Sequence, residues 1–431
     1  MFLLLMSILQ RGFCQDGWEW ELLGNMPEPV ANNAFTQAYC GDTLCYYSFT
    51  GIGSELSPES IHLKAWRYNT VLQAWENLPD VNDFQGKIAA GASTVDSIIY
   101  IIGGYHVFEN FSEQTSAKVH RFNAESNSWL EDGADIPVAV DDHVQAVWRD
   151  SLIYVITGWS NNTNTASVQI YNPALDEWTA ATSVPPTSEY RAFGASGTII
   201  GDTIFYFGGV HIAGFNFLAN KRFRKGLINP EDPTEITWEY LGDAPLEENG
   251  YRMACTNFQN EAIWIGGAGI AYNFDALAYS NNQVVNPLGQ IRTYDSFSGS
   301  WTTAQPSPFS IMDLRGIARE DEDSWVIAGG ITNNRQVSDE VWRITRASVG
   351  TSENLFPEPS FVYYPDKIKV SAQARIDRAE LISLSGIKIK DFDVNSDRFF
   401  IPTTALSQGI YLLNVYSISG YAQAFKLFVY Q

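Results

Sequence analysis

The amino-acid sequence predicts an all-β protein, a six-bladed β-propeller followed by a small C-terminal β-sandwich. Aromatic residues make up 14% of the 431 residues and charged residues only 18%, a composition typical of β-rich globular domains. Three sequence markers also recur along the chain at intervals of roughly 50 to 60 residues. A repeat of that length indicates a solenoid or a propeller.

The first marker is a run of β-branched and aromatic residues that ends in glycine, such as IIYIIGG and TIFYFGG. Each run is typical of a buried central strand, and a polar residue just before it suits a tight hairpin turn. Six runs predict six blades. The runs begin at Leu44, Ile98, Leu152, Thr203, Ala262 and Ser324, and the turns contain Asp42, Asp96, Asp150, Asp202, Asn260 and Asp323.

The second and third markers describe the outer half of each unit. In four units a strand ends in an aromatic residue followed by Asn or Asp, and a tryptophan follows six residues later. This constant spacing predicts a third strand, a turn and a fourth strand. The strand ends are Asn69, Asn123, Asn172 and Asp295, and the six tryptophans are Trp20, Trp75, Trp129, Trp178, Trp238 and Trp301.

These residues resemble the kelch repeat, whose marks are the double glycine, the Tyr-Asp pair and the tryptophan at that offset. The resemblance covers about Trp18 to Thr345 and implies a propeller of six blades. The fourth unit departs from the pattern, because an insertion from Lys221 to Pro233 replaces the Tyr-Asp pair. The sixth unit lacks its tryptophan, so we expect the N-terminal strand that begins at Trp18 to close the last blade.

The chain divides into three predicted segments. Residues 1–14 form a signal peptide, because a short apolar run precedes small residues and is too short to span a bilayer. Residues 15–350 form the propeller, and residues 351–431 form a β-domain of alternating strand-like runs. Taken without any resemblance, these strand-like runs predict a generic small β-sandwich.

The last segment also resembles the C-terminal sorting domain of the type IX secretion system of Bacteroidetes. The similarity lies in the LISLSGIKIK strand, the IPTTALSQGIYLLNV core and the closing KLFVY. The usual Pro-Asn-Pro start is replaced by Pro357-Glu358-Pro359. The resemblance implies that the type IX machinery is a partner and that the protein is secreted or held at the outer cell surface.

Composition and cysteine spacing exclude several classes of function. A formal net charge of −22 repels nucleic acid and anionic membranes, and no stretch is typical of a transmembrane segment. No cysteine spacing is typical of a metal site and no cofactor motif is present, so we expect neither a metal nor a cofactor. Cys40 and Cys45 flank a turn, which leaves open a disulfide or two free thiols.

Candidate ligand-binding residues lie where the inner strands are expected to begin. Counting 12 to 14 residues beyond each tryptophan gives a mostly basic set that should surround one channel mouth. Arginine binds carboxylates in bidentate fashion, so the set predicts an anion-binding mouth; the alternative is that each arginine pairs with neighbouring carboxylates. The set is Asn33, Lys87, His143, Arg191, Arg252 and Arg315.

Long aromatic loops lie on the same face as this set. Phe215 and Tyr272 belong to them and could stack on a sugar ring or peptide side chain. Alternatively, such loop aromatics simply bury one another as the loops pack.

Three functions remain open at this point. The first is a surface propeller that binds an anionic or carbohydrate ligand, or a protein partner, at the channel mouth. The second is a sugar-acid mutarotase or epimerase, with Glu189, Glu248 and Arg252 as catalytic candidates, because a glutamate held near an arginine could act as general base. In blade count and acid-arginine proximity this arrangement resembles the kelch-type N-acetylneuraminate epimerases. The third is a purely structural surface protein.

Overall fold

The computed structural model describes residues 12–15, 17–304, 310–346, 360–364, 366–383, 388–404, 406–417 and 422–429. The chain divides into two compact units, Met1–Ala347 and Ser348–Gln431. Strands dominate both units, and the described residues contain no α-helix. Accordingly, no helix among them has the length and apolar character needed to cross a membrane. Most of the predicted signal peptide lies outside the described residues. The Pro357-Glu358-Pro359 segment of the predicted C-terminal domain also lies outside them.

The first unit is a ring of six antiparallel four-stranded sheets, the blades, numbered here in chain order. The first strand of each blade lines the central channel. The strands are Ala34–Cys40, Thr43–Ile52, Ile61–Asn69 and Ala74–Leu78 in blade 1; Ile88–Val95, Ile98–Val107, Val119–Asn123 and Ser128–Trp129 in blade 2; Val144–Trp148, Leu152–Ile156, Val168–Asn172 and Glu177–Ala180 in blade 3; Phe193–Ile200, Thr203–Ala213, Arg222–Asn229 and Asp232–Asp243 in blade 4; Ala254–Phe258, Glu261–Ile265, Ile291–Asp295 and Ser300–Ala304 in blade 5; and Ala318–Arg319, Ser324–Ala328, Glu340–Arg346 and Trp18–Asn25 in blade 6.

The loops between the second and third strands carry short elements of their own. They all lie at the end of the channel where the inner strands begin, and we call this end the loop face. The elements are the 3-10 turns Pro58–Ser60 and Asn333–Arg335 and the short strands Glu113–Thr115, Trp159–Ser160, Thr163–Asn164, Asn216–Ala219, Ile331–Thr332 and Gln336–Val337.

The beginning of the chain closes the last blade. Trp18–Asn25 pairs antiparallel with Glu340–Arg346, and Trp20 lies opposite Ile344 with its side chain fully buried. Gly12–Gln15 then pairs with the closing strand as a fifth strand. Part of the segment predicted as a signal peptide therefore contributes backbone to this sheet.

The double glycine of the repeat is required where two blades meet. The first glycine has a φ between 66° and 74° in four blades. A Cβ on Gly208 would lie 2.2 Å from the carbonyl oxygen of Gly250 in the next blade. Gly209 donates its N–H to that same oxygen at 2.6 Å. A side chain at the first position would therefore push neighbouring blades apart. The four first glycines are Gly103, Gly208, Gly266 and Gly329.

The Asn and Trp markers cap a turn and join two blades. In blade 3, Asn172 Oδ1 accepts the N–H groups of Ala174 and Leu175 at 3.1 and 3.3 Å. Trp178 follows on the next strand, and its Nε1 donates to the Ala134 carbonyl beside blade 2 at 2.8 Å. The fixed spacing between Asn and Trp thus sets the turn so that the indole reaches the preceding blade.

The segment from Lys221 to Pro233 is not an insertion, contrary to the sequence prediction. It contains the third strand of blade 4, Arg222–Asn229, which pairs with Asp232–Asp243. Gly226 lies opposite Trp238, and a Cβ on Gly226 would lie 2.4 Å from the indole ring. The usual Tyr-Asp pair is absent because the indole packs against a glycine here.

The second unit is a five-stranded antiparallel sheet with its own core. Its longest strand, Lys367–Ser383, shifts register between Ser371 and Ile376; on one edge it pairs with Lys388–Pro402 throughout, and on the other it pairs with Ser360–Tyr363 before the shift and Gly409–Ser417 after it. Buried residues include Ile368, Leu381, Leu413 and Leu427. The strands are Ser360–Tyr363, Lys367–Ser383, Lys388–Pro402, Gly409–Ser417 and Ala422–Val429. The all-β fold class is confirmed.

Cys40 and Cys45 do not form a disulfide in the structure. Cys40, Cys45 and Cys255 are free thiols. In the ladder of blade 1, Cys40 lies opposite Thr43 and Cys45 opposite Ala38, so the two thiols are not direct cross-strand partners.

Candidate functional site

One residue in each blade, just before or at the start of the inner strand, adopts a left-handed backbone conformation. Its φ lies between 48° and 64°, and it directly follows a residue that pairs with the second strand of the same blade or with the segment just beyond the end of that strand. This conformation costs roughly 1–2 kcal/mol for a residue with a Cβ, so a compensating interaction is needed. We call these residues the mouth ring: Asn32, Ala89, Asp142, Gly194, Arg252 and Asp313.

Hydrogen bonds close the mouth ring around the channel. In blades 3, 4 and 5, the mouth-ring N–H donates to the mouth-ring carbonyl of the preceding blade at 3.1, 2.7 and 2.9 Å. In blade 1 it donates to the Asp313 carbonyl at 3.0 Å, and in blade 2 to Asn32 Oδ1 at 2.7 Å. Leu314 N–H supplies the last link, to the Arg252 carbonyl at 3.3 Å. These bonds offset the backbone cost.

The charged side chains of the mouth ring fill the channel. Arg252 Nη2 and Nε donate to Asp142 Oδ2 and Oδ1 at 2.6 and 3.1 Å, and Nη1 donates to Asp313 Oδ1 at 3.1 Å. Asn32 Nδ2 donates to the same Asp313 oxygen at 3.0 Å. All three charged side chains are at most 2% exposed. They form a plug that seals this end of the channel.

The charges of the plug pair with one another and with Arg315, whose Nη1 lies 3.6 Å from Asp142 Oδ1. Burial opposes the charge on Arg252, but the carboxylates of Asp142 and Asp313 hold its pKa well above the usual range. Burial raises the pKa of Asp313 in spite of the neighbouring guanidinium. Buried ions are tolerated only when they are paired, and here the pairing leaves the guanidinium no position for an incoming anion.

Aromatic residues cover the plug on the loop face. The rings of Tyr251 and Tyr272 lie 5.1 and 5.3 Å from the guanidinium carbon of Arg252. Tyr272 Oη donates to Asp313 Oδ1 at 3.2 Å, and both tyrosines are fully buried within an apolar cluster of the loops. On the other side of the plug, the channel contains a cavity of about 370 Å³.

A second cavity, of about 180 Å³, lies on the loop face above Arg252. Trp159 packs edge-to-face on Phe193 and Phe217 with ring centroids 5.4 and 5.7 Å apart, and Phe217 contacts Tyr279 at 4.7 Å. Four blades contribute to this loop-face pocket, so it exists only in the closed ring. Its lining residues are Tyr105, Glu113, Asp141, Asp142, Trp159, Phe193, Phe217, Arg252 and Tyr279.

Two carboxyl groups of the pocket are not used by the plug. Asp141 is 3% exposed, and its Oδ2 accepts a hydrogen bond from Thr115 Oγ1 at 2.8 Å. Burial, and then the charge of Asp142, raise the pKa of Asp141 well above its usual range. Glu113 stands at the rim, where removal from solvent raises its pKa as well. Both groups therefore hold their protons to a higher pH than ordinary carboxyls do.

The predicted cationic ring does not form at the mouth. Only Arg252 of the six predicted residues occupies a mouth-ring position, and two aspartates neutralise it. Lys87 is buried with its Nζ 3.1 Å from Asp83 Oδ2. Within the described part of the chain Arg191 Nη1 donates to a backbone carbonyl at 3.5 Å, and Asn33 Nδ2 donates to Ser48 Oγ in blade 1 at 2.8 Å and to the Ala328 carbonyl in blade 6 at 3.5 Å. The count from each tryptophan is wrong in the other five blades because the intervening loop varies in length.

His143 and Arg315 lie on the opposite side of the plug, where they line the channel. Burial, together with the positive charge of Arg315, lowers the pKa of His143 to about 4, so the ring is neutral near pH 7. Its Nε2 contacts Gln145 Oε1 at 2.9 Å, while Arg315 Nη2 donates to the His143 carbonyl at 2.9 Å. These two residues therefore do not face the loop-face pocket.

The remaining predicted residues are also dispersed. Tyr272 is buried in the cover of the plug, whereas Phe215 is fully exposed and lies outside the lining of the loop-face pocket. Glu189 and Glu248 do not line that pocket either. The catalytic arrangement that combined Glu189 and Glu248 with Arg252 is therefore not formed.

Sequence reasoning missed Glu113, Asp141 and Trp159. Trp159 directly follows the glycine of the third run, so it stands at the start of the loop that leads to the third strand of that blade. Asp141 and Asp142 form an acidic pair directly before His143, which was noticed while its neighbours were not. These residues could have been recognised from the sequence only if the inner strands had been placed in the correct register.

The architecture, six blades with double-glycine contacts and a closing N-terminal strand, defines the class of repeat propellers. The Kelch motif matches residues 89–131 and 149–185, so the chain contains kelch repeats. Such a propeller supports a ligand-binding or protein-binding role.

Relatives and solved structures agree with this class. Kelch-like protein terF of Aspergillus terreus is 28% identical over 62% of this chain and 55% of that protein. Kelch-like protein 26 of Danio rerio is 23% identical over 50% of this chain and 32% of that protein. The chain thus spans about half, or less, of the length of these relatives. A solved structure titled "Structure of YjhT" superposes with a TM-score of 0.58 at 17% identity, covers 74% of this chain and 95% of its own, and shows the same fold.

Proposed function

We propose that the protein is a carbohydrate-binding propeller and that the sugar occupies the loop-face pocket. The observation that carries the proposal is the combination of an aromatic wall, Trp159, Phe217 and Tyr279, with hydrogen-bonding groups at its foot. Aromatic faces pack against the C–H face of a sugar ring, and carboxyl and phenol groups bond to its hydroxyls.

The size of the pocket limits what it takes. Its volume of about 180 Å³ is below the range of roughly 300–1,000 Å³ that holds drug-sized ligands. A single sugar residue, free or at the end of a glycan, fits this volume better than an oligosaccharide does.

The charges of the pocket favour a carbohydrate over an anion. Arg252 is the sole cation of its lining, and Asp142 and Asp313 already satisfy it. Glu113 and Asp141 would repel an anion whenever they ionise. The anionic ligand expected from the basic set in the sequence therefore loses its support at this face.

Replacing Trp159 with alanine should weaken sugar binding by roughly 30-fold, because truncating a central aromatic contact costs about 2 kcal/mol or more. A glycan array with the full chain would identify the sugar, and isothermal titration calorimetry would measure both proteins. Phe215→Ala is the matched control, since Phe215 belongs to a neighbouring loop but lies outside the lining.

Two results would contradict this proposal. Unchanged affinity in a folded Trp159→Ala variant would place the sugar elsewhere. If the full chain binds no glycan at all, a protein partner on the loop face becomes the better interpretation.

We further propose that the protein is exported to the cell surface and that its C-terminal unit is the sorting signal for the type IX secretion system. The support is the sequence resemblance together with the separate core of the unit Ser348–Gln431, which shares no element of the propeller. A C-terminal sorting domain should be able to fold on its own core, independently of the domain that it directs.

Deleting residues 348–431 should leave the propeller folded and abolish its export. The truncated protein should melt within about 2 °C of the propeller transition of the full chain, because the six blades keep all their strands. Cell fractionation in a host with the type IX machinery would measure export, and the same host without that machinery is the control. Surface delivery of the truncated protein would refute the sorting role.

A further inference from the structure

The loop-face pocket contains more carboxyl groups than the arginines of the plug region pair with. Four carboxyl groups, of Glu113, Asp141, Asp142 and Asp313, lie in or directly beneath it, whereas two guanidinium groups, of Arg252 and Arg315, pair only with Asp142 and Asp313 in the described part of the chain. Asp142 and Asp313 are committed to Arg252 through the hydrogen bonds of the plug. Glu113 and Asp141 are left without a cationic partner among the described residues.

Polar atoms that line the pocket are also unpartnered. Asp141 is 97% buried, yet only its Oδ2 has a hydrogen-bond partner among the described residues, Thr115, so Oδ1 is free. The Tyr105 side chain is 5% exposed and, within the same part of the chain, its hydroxyl has no partner. Both atoms belong to side chains that line the cavity, and a largely apolar cavity with a few convergent polar groups is typical of a ligand site.

Aromatic rings surround these acceptors. Trp159, Phe217 and Tyr279 present their rings around one cavity, with centroid separations of 5.7 Å between the first two and 4.7 Å between the last two. Aromatic rings attract cations through their electron-rich faces, and carboxylates add direct charge pairing. The pocket thus combines both kinds of cation recognition with a surface that suits a sugar ring.

We propose that the sugar bound by the loop-face pocket carries a free amino group, and that Asp141, assisted by Glu113, recognises its ammonium. This inference rests on the proposed carbohydrate function and names its substrate class, an amino sugar. The ammonium N–H groups donate to Asp141 Oδ1 and to Glu113, while the ring packs on Trp159. An acetylated amine carries no charge and therefore loses this recognition.

Binding should be linked to proton release. Burial raises the pKa of Asp141 well above its usual range and raises that of Glu113 as well, and an ammonium beside the two carboxyls should lower both pKa values and so displace protons. The other titratable groups facing them are Asp142, Arg252, Tyr105 and Tyr279; burial raises the pKa of both tyrosines, and neighbouring carboxylates hold the pKa of Arg252 well above its usual range. Affinity should therefore rise with pH until the sugar amine itself deprotonates.

The test is calorimetric titration of the full chain with matched sugars in the gluco, galacto and manno configurations. For each configuration, the 2-amino, 2-hydroxy and 2-acetamido forms are compared. We expect the amino form of at least one configuration to bind at least tenfold more tightly than both counterparts. Repeating the titration in two buffers of different ionisation enthalpy should reveal protons released on binding.

Asp141→Asn is the decisive variant. It should remove the amino preference and the proton release while the hydroxy form still binds, and it should fold because asparagine has nearly the same size and its amide oxygen can accept the hydrogen bond from Thr115. Asp135→Asn, an exposed carboxylate paired with Lys118, is the matched control and should change neither readout.

The possible failures are distinguishable. Equal or tighter binding of the hydroxy or acetamido form in every configuration overturns the amino-sugar inference and leaves the carbohydrate function intact. No binding of any form, together with an empty glycan array, overturns both. If Asp141→Asn does not fold, the absence of proton release in the unmodified protein is sufficient to reject the inference.

Discussion

Replacing Arg252 with methionine should lower the free energy of unfolding by about 3–5 kcal/mol, because it leaves Asp313 buried without a cationic partner and leaves Asp142 with only the more distant Arg315, 3.6 Å away. Methionine is an unbranched, flexible side chain that can fill much of the same space, so the loss reports charge rather than a large cavity. For a domain of this size, the melting temperature should fall by roughly 4 to 7 °C in a thermal scan.

The same plug supplies its own controls. Arg149→Met removes an exposed arginine paired with Asp202 and should cost less than about 1 kcal/mol. Adding Asp142→Asn and Asp313→Asn to Arg252→Met should recover part of the loss, since the unpaired charges are then gone. An Arg252→Met variant that melts within about 2 °C of the unmodified protein would show that the plug is not structural.

Removing the closing strand should have the other large effect. Deletion of residues 12–25 eliminates Trp18 and Trp20, both buried, and loss of one such tryptophan side chain costs about 3–5 kcal/mol. It also breaks the ion pair of Arg343 with Glu21 and exposes Glu340–Arg346 as an open edge. An open edge invites pairing with another chain, so we expect both a lower melting temperature and aggregation on light scattering.

A shorter deletion separates the two contributions. Gly12–Gln15 lies outside the closing strand, so its removal should affect melting far less than removal of residues 12–25. If the longer deletion melts at the temperature of the full chain and stays monomeric, the ring must be closed in another way.

The plug also changes how the basic residues of the sequence are interpreted. Arginines at an inner-strand start were expected to bind an anion, with pairing to neighbouring carboxylates as the alternative. For Arg252 the alternative is correct, because Asp142 comes from blade 3 and Asp313 from blade 6. A charged side chain in a propeller channel therefore cannot be assigned to a ligand until its cross-channel partners are known.

The sequence by itself determined the blades and their closure. Glycine runs, Asn-Trp spacing and the missing sixth tryptophan are local signals, since each reflects a turn, a strand or a contact between adjacent blades. Asn172 and Trp178 illustrate this, because their spacing alone specifies the hairpin that the structure shows. The one blade misjudged, the fourth, is the one in which Gly226 replaces the local signal.

Only the tertiary structure decided which side chains meet at the loop face. Arg252 and Asp142 are 110 residues apart in the chain, and the residues that line the pocket come from four blades. Their meeting depends on the left-handed residue that precedes each inner strand, and a displacement of one residue moves a side chain from the channel mouth to the opposite side of the plug. Asp142 and His143 are neighbours in sequence, yet the first belongs to the plug and the second lines the channel beyond it. Because side chains alternate across a strand, register decides the chemistry of the site, and register is set by the contacts of the closed ring.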